Sequence, residues 1–299
     1  MSAREAARQG FFPLEANPAA HMARVPFACT LGFVWEGGDA AGARVRLPFN
    51  GAAASADGLS VDPLAILAQV DHACSAAVYL ALPRPSLIAT VDLRCEFAAA
   101  PEPGSDVLCT ALTQYLDCGF AIVRASAVST ATGRCLAYAS SAYAVGAHPG
   151  MKGKEVAAEA WLKPSMAREV HKGFENMLGL LPDGANFCLP FHERLVGAVS
   201  LPSVHGGATA AALALAACGN AAATVEPNAQ WRPLTLSVHY LRAVRAEPLL
   251  LQPVLRKPGA RSCVFGVAAT QSGAGKDVAH AECLLVRGNA DSAGHHGNH

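Results

Sequence analysis

The chain has 299 residues, 52% of them hydrophobic and 15% charged, with 23 basic and 23 acidic side chains and no net charge. At about 150 residues per domain that length allows two domains, and the even charge argues against a nucleic-acid partner. The ten cysteines lack CxxC or CxxH spacing. They read as small buried apolar residues of a reducing compartment, not as staples or metal ligands, so no metal is expected.

Residues 1–25 read as a tail; Arg4, Glu5 and Arg8 interrupt any secretory apolar run, which fits a cytoplasmic protein. A pattern then occurs twice. Leu31-Gly32 precedes Leu47-Pro48-Phe49, and Leu178-Gly179 precedes Leu189-Pro190-Phe191. The spacings are 47 − 31 = 16 and 189 − 178 = 11, and the loop Gly37–Gly42 accounts for the longer first copy. Each LPF leads into a long apolar helix. The first has Asp62 as N-cap and Pro63 at the first helical position and runs to about Leu82; the second starts near Gly206.

Four strands follow each helix. In the first half they are Ile88–Phe97, Asp106–Tyr115, Phe120–Thr130 and Cys135–Ala144; in the second, Leu234–Leu241, Leu249–Leu255, Ser262–Gln271 and Val278–Val286. Each half is thus strand, helix, four strands. Hairpin-length turns make the sheet antiparallel, so the fold class is α+β. The domains are 26–147 and 173–288, joined by a linker 148–172 with a short helix near Glu155–Leu162. Residues 289–299 form a polar tail, and its His295, His296 and His299 are read as tail residues, not ligands. The uncharged run Ala208–Val225 is read as a core helix and not as a membrane span.

Chemistry concentrates at Val204-His205-Gly206-Gly207-Ala208. Two glycines opening an uncharged helix place unblocked N–H groups at its positive end, where an oxygen acquiring charge is stabilised. That helix carries no acid before Glu226. The first helix carries one, Asp71, flanked at helical spacing by Leu67, Ala68, Cys74 and Ser75. A carboxylate on so apolar a face is costly unless it has a task or a partner. His72 points about 100° away from Asp71 on a helix and reads as structural.

These residues resemble a known family. The LG, the HGG opening a central helix, the acid on such a helix and the V-x-Y-L-R strand (Val238–Arg242) look like hotdog-fold acyl-CoA thioesterases of the phenylacetate-pathway type. The resemblance covers nearly the whole chain, twice, and implies a tandem hotdog: two long helices, each wrapped by a curved antiparallel sheet. In the family the HGG of one subunit faces the acid of the other. Here the second half keeps His205-Gly206-Gly207, but nine positions beyond His205 stands Ala214. The first half keeps Asp71 and has Ser55-Ala56-Asp57-Gly58-Leu59 in place of HGG. The losses are complementary, which implies one composite site per chain. Its catalytic residues are Asp71, His205, Gly206, Gly207 and Thr90, a family Ser/Thr position that assists the acid. Where the family often carries Asn or Gln ahead of HGG, this chain has Val199-Ser200.

The implied reaction is hydrolysis of acyl-CoA, with Asp71 as general base or nucleophile. Coenzyme A would enter only as part of the substrate, held by Ser75, Arg84, Arg256 and Lys257; Arg242, Arg245 and Arg261 are further phosphate partners. A dimer of tandem hotdogs is expected, because open sheet edges need covering. Two other readings stand beside hydrolysis: a non-catalytic acyl-CoA-binding protein, and a hydratase or dehydratase, although the H-F-P-G and D-x-x-x-x-H signatures of the latter are absent near His205 and Asp71.

Overall fold

The computed structural model describes residues 25–83, 86–117, 119–146, 172–198, 203–227, 229–271 and 276–288. The tails, the linker with its Glu155–Leu162 helix, Arg84, and Val199-Ser200 lie outside the described residues.

Each half opens with a short helix, α1 (Pro26–Leu31) or α3 (Phe174–Leu178). The glycine of each Leu-Gly pair ends it in the left-handed conformation, Gly32 at φ 70° and Gly179 at φ 74°. A hairpin follows: β1 (Val34–Asp39) with β2 (Gly42–Leu47), and β7 (Leu181–Asp183) with β8 (Asn186–Leu189). This corrects the expectation of one strand before each helix, and it turns the supposed Gly37–Gly42 loop into paired strand around a two-residue turn, Asp39 opposite Gly42. Asp39 Oδ1 accepts from Ala41 N–H at 2.8 Å and makes that turn. Gly38 and Gly42 are there for space: a Cβ would sit 2.5 Å from the Gly42 carbonyl oxygen on Gly38 and 2.2 Å from the Ala111 carbonyl oxygen on Gly42.

Helix α2 (Pro63–Ala81) begins as expected, the Asp62 carboxylate accepting from Leu64 N–H at 2.7 Å. Strands β3 (Ile88–Phe97), β4 (Val107–Leu116), β5 (Phe120–Ser129) and β6 (Cys135–Val145) follow it. In the second half, short strands β9 (Val196–Ala198) and β10 (Ser203–Val204) lead into α4 (Gly206–Thr224). Then come β11 (Trp231–Tyr240), β12 (Leu249–Lys257), β13 (Ser262–Gln271) and β14 (Lys276–Arg287). β11 starts three residues earlier than expected, because Pro233 sits at a bulge, where a missing N–H is tolerated.

The two halves share one twelve-stranded antiparallel sheet, ordered β1-β2-β4-β5-β6-β3-β11-β14-β13-β12-β8-β7. The seam is β3 against β11, with Leu93 opposite Val238 and Asp92 opposite His239. Inward residues alternate with outward ones: Ala121, Val123, Ala125 and Ala127 on β5 are buried, as are Cys263, Phe265, Val267 and Ala269 on β13. The helices pack inside the sheet and against each other, α2 on β2, β4 and β5, and α4 on β11, β12 and β13. By length and composition both helices could cross a membrane, but the apolar windows of α2 and α4 are 78% and 61% buried inside the fold.

Small residues let the helices touch. A Cβ on Gly207 would lie 2.7 Å from Ala68 Cα and 3.0 Å from its carbonyl oxygen. Backbone on that side cannot yield without moving α2. Gly207→Ala is therefore expected to cost about 1–3 kcal/mol of stability by urea unfolding; an unchanged midpoint would show that the helices have room.

Candidate active site

The crossing of α2 and α4 brings the first half's acid to the start of the second half's helix. Asp71 is 2% exposed, and its Oδ1 accepts from Thr90 Oγ1 at 3.1 Å. Tyr143 OH lies 3.4 Å from the same oxygen and 3.2 Å from the Asp71 carbonyl, to which it donates. No Lys or Arg contacts Asp71 among the described residues. The buried anion is supported by these hydroxyls and by the positive end of α4. Gly206 is the closest part of that end: a Cβ there would fall 2.7 Å from Asp71 Oδ2 and 3.3 Å from Thr90 Oγ1. Gly206 and Thr90 are half-buried and form the rim, with Asp71 and His205 behind them.

His205 is the N-cap of α4, its Nδ1 accepting from Gly207 N–H at 3.0 Å. Of the two glycine N–H groups expected to face a ligand, the one on Gly207 is thus already engaged, and Gly206 carries the other. The same Nδ1 lies 3.4 Å from Asp71 Oδ2. That contact is no ion pair: burial pushes the imidazole below its usual pKa of 6.5 against the pull of Asp71, and the Nδ1 lone pair is used by Gly207.

Three residues of this cluster were not assigned to it from the sequence. Tyr143, fully buried on β6, has its phenol pushed well up, first by burial and then by Asp71. Tyr240, the tyrosine of the V-x-Y-L-R strand, donates to the Gly206 carbonyl at 2.8 Å. His72 reaches His205, Nδ1 to Nε2 at 3.4 Å. Nothing in a strand's alternation marks Tyr143, whereas Tyr240 lay in a motif already singled out.

The remaining candidates fall elsewhere. Ser75 Oγ donates at 2.9 Å to the backbone carbonyl of Asp71, not to its carboxylate, and lies 3.4 Å from Tyr143 OH. Arg256 spreads over Gly266 on the outer face of the sheet, a Cβ there falling 2.8 Å from its Nε, and Lys257 follows it at the exposed end of β12. Neither joins the cluster. Arg242 is tied to the Asp277 carbonyl, and Arg245 N–H donates to Gln271 Oε1 at 2.9 Å. Arg261, through its carbonyl, accepts from Arg287 N–H at 3.0 Å. Among the described residues no group of three His, Cys, Asp or Glu side chains is placed to hold a metal ion.

The pseudo-symmetry corrects one alignment. The counterpart of His205 is Asp62, not the Ser55–Leu59 segment. Both are N-caps whose side chains accept from the second residue on, and their own N–H groups donate at 2.8 Å to Leu195 and Ala53 carbonyls respectively. The offset 205 − 62 = 143 also maps the β3 bulge between Thr90 and Asp92 onto the β11 bulge between Pro233 and Thr235. Around Asp62, the same offset takes Asp71, Ser75 and Thr90 to Ala214, Cys218 and Pro233, and Pro233 pairs with Leu285 as Thr90 pairs with Tyr143. The second pseudo-site has lost the whole hydroxyl–carboxylate set.

Asp62 is itself buried, and its carboxyl is pushed up to about 7, by burial first, with Glu175 and Asp57 adding to it, while the Leu64 N–H opposes. A folded pKa above the unfolded value means stability present below about pH 4 and lost as pH rises through 7. The helix dipole favours the anion and limits the effect. Asp62→Asn keeps the cap acceptor and removes the charge. It is expected to match the wild type at pH 4 and to exceed it by about 1–3 kcal/mol at pH 8 in thermal unfolding; a difference independent of pH would overturn this.

Residues 198–288 match the family described as acyl-CoA thioesterase N-terminal domain. In this chain that domain is the C-terminal half, the one bearing HGG. A search of curated proteins gave no match. Among solved structures, a tesB protein of Mycobacterium avium subs. paratuberculosis is 10% identical with TM-score 0.61, covering 91% of this chain and 100% of that one. An acyl-CoA thioesterase II from Mycobacterium marinum is 13% identical with TM-score 0.55, covering 90% and 99%. A protein with hot dog fold from Alicyclobacillus acidocaldarius is 11% identical with TM-score 0.58, covering 88% and 98%. At such identities the shared property is the fold, and it extends over both halves. The chain thus has a tandem hotdog fold, and its second half, over residues 198–288, matches the acyl-CoA thioesterase N-terminal domain family.

Proposed function

We propose that the chain hydrolyses acyl-CoA thioesters at one composite site, with Asp71 and Thr90 from the first half and His205, Gly206 and Gly207 from the second. The observation that carries this reading is the buried Asp71 carboxylate, without a cationic partner among the described residues, set against the glycine that opens α4. The thioester carbonyl oxygen accepts from the N–H of Gly206 at the helix N-terminus. Asp71 takes a proton from water as the water oxygen attacks the carbonyl carbon, and Thr90 holds the Oδ1 edge of the carboxylate in place. The tetrahedral species collapses by breaking the C–S bond. A thiolate leaves readily, so no strong acid is needed. The membership of the second half in an acyl-CoA thioesterase family supports hydrolysis over hydration.

The test is release of free thiol from short, medium, long and aromatic acyl-CoAs. Saturable release supports the reading, and the best substrate defines the pocket. Binding of every acyl-CoA without release would make the chain a binding protein. Single-turnover hydrolysis in ¹⁸O-water separates the two roles of Asp71: label in the acid product means general base, label in the protein means nucleophile.

A further inference from the structure

His72 has no part in the reaction above, yet it is buried at 3% exposure and lies against His205, with ring centroids 5.6 Å apart and an interplanar angle of 29°. Phe33 and Phe27 close the outer sides of this pair, at 5.0 Å from His72 and 4.8 Å from His205. The contacts fix where the protons sit. His205 Nδ1 accepts from Gly207, so a neutral His205 carries its proton on Nε2. That Nε2–H faces His72 Nδ1 at 3.4 Å, which must then be the acceptor. Asp71 Oδ2, His205 and His72 therefore form one line, with both gaps 3.4 Å. The pseudo-symmetry supplies an independent observation. At the same offset of 205 − 62 = 143, Asp71 becomes Ala214 and His72 becomes Leu215. The half that lacks the acid lacks this imidazole too.

We propose that His72 is a positioning residue that governs the protonation of His205 and, through it, whether the N–H of Gly207 is free for the substrate carbonyl. The proposal rests on Asp71 being the general base. In the resting state His72 accepts from His205, and His205 Nδ1 holds Gly207 N–H. When Asp71 has taken the proton of the attacking water, two transfers follow. The Asp71 O–H bond breaks as His205 Nδ1–H forms, and His205 Nε2–H breaks as His72 Nδ1–H forms. Asp71 is again a carboxylate, His205 stays neutral with its tautomer reversed, and His72 is a cation; one proton has moved and no electrons have been exchanged. Nδ1, now a donor, releases Gly207 N–H beside that of Gly206 while the carbonyl oxygen carries its charge. The reverse transfers deliver the proton to the departing thiolate.

The experiment compares wild type, His72→Asn and His72→Leu. Asn retains an acceptor near the Nδ1 position but cannot take up a proton; Leu retains neither. Expected are a kcat lower by about 10-fold for Asn and about 100-fold for Leu, with KM within about 2-fold of wild type. The solvent deuterium proton inventory on kcat should be curved in the wild type and linear in His72→Asn. Wild-type kcat and a curved inventory in His72→Asn would overturn the proposal. On the wild type alone, long-range ¹H–¹⁵N spectra of histidine-labelled protein should show His205 protonated at Nε2 and not at Nδ1; a proton on Nδ1 at rest overturns it whether or not the variants fold. If Asp71→Asn leaves activity intact, the parent reading fails; if Asp71 is essential and His72→Asn is indistinguishable from wild type, only this inference fails.

Discussion

Asp71→Asn is expected to lower kcat for thioester hydrolysis by about 100-fold or more, with KM moved far less. Asn has the shape of Asp, and its carbonyl oxygen can still accept from Thr90 Oγ1, which stands 3.1 Å from Oδ1 in the wild type. What is lost is the carboxylate that stands against Gly206 and takes the proton from water, while His205 at rest keeps its Nδ1 on Gly207 N–H. A 100-fold loss corresponds to about 2.7 kcal/mol of transition-state stabilisation. Stability should be unchanged or higher, because the substitution removes a buried charge that no cation compensates among the described residues. Thiol release, together with binding of a non-hydrolysable acyl-CoA analogue, checks both parts. An equally active variant would move the chemistry away from this crossing of helices.

Gly206→Ala is expected to lower kcat by about 100- to 1000-fold while leaving the fold intact. The added methyl falls 2.7 Å from Asp71 Oδ2, 3.3 Å from its Cγ and 3.3 Å from Thr90 Oγ1. It therefore fills the space between the base and the N–H at the helix end. Gly206 is not among the glycines with positive φ, so Ala is compatible with its backbone and favours the helix. Gly207→Ala is the contrast. Its methyl meets the backbone of Ala68 and should cost stability first. Urea unfolding and thiol release, measured on both variants, separate the two: activity lost with stability kept at 206, stability lost at 207. Loss of stability at both positions would mean that Gly206 too is there for packing.

Much of the candidate site is legible in the sequence. Asp62-Pro63 and His205-Gly206-Gly207 mark helix starts by local chemistry, and the structure starts helices at both. Asp71 stood out because a lone carboxylate in an apolar helix is costly. Glycine spacing misled at Gly37–Gly42: these residues punctuate a turn by composition, yet Gly38 and Gly42 are paired strand residues that neighbouring backbone leaves no room to enlarge. His72 stands about 100° round the helix from Asp71, and only the crossing of α4 over α2 sets His205 against both side chains.

What the sequence by itself determined is the repeat, the α+β class, the two helix starts and the division of acid and HGG between the halves, because each is written in local spacing and capping. What only the tertiary structure decided is which groups meet. Tyr143 arrives at Asp71 from a strand 72 positions on, Tyr240 clamps the Gly206 carbonyl from 34 positions on, and His205 spends its Nδ1 on Gly207. Arg256, equally plausible from its charge, is carried to the outer face of the sheet. The reason is physical: capping and periodicity act within a few residues, whereas the registers of a twelve-stranded sheet and the crossing of two helices are set by packing across the whole chain.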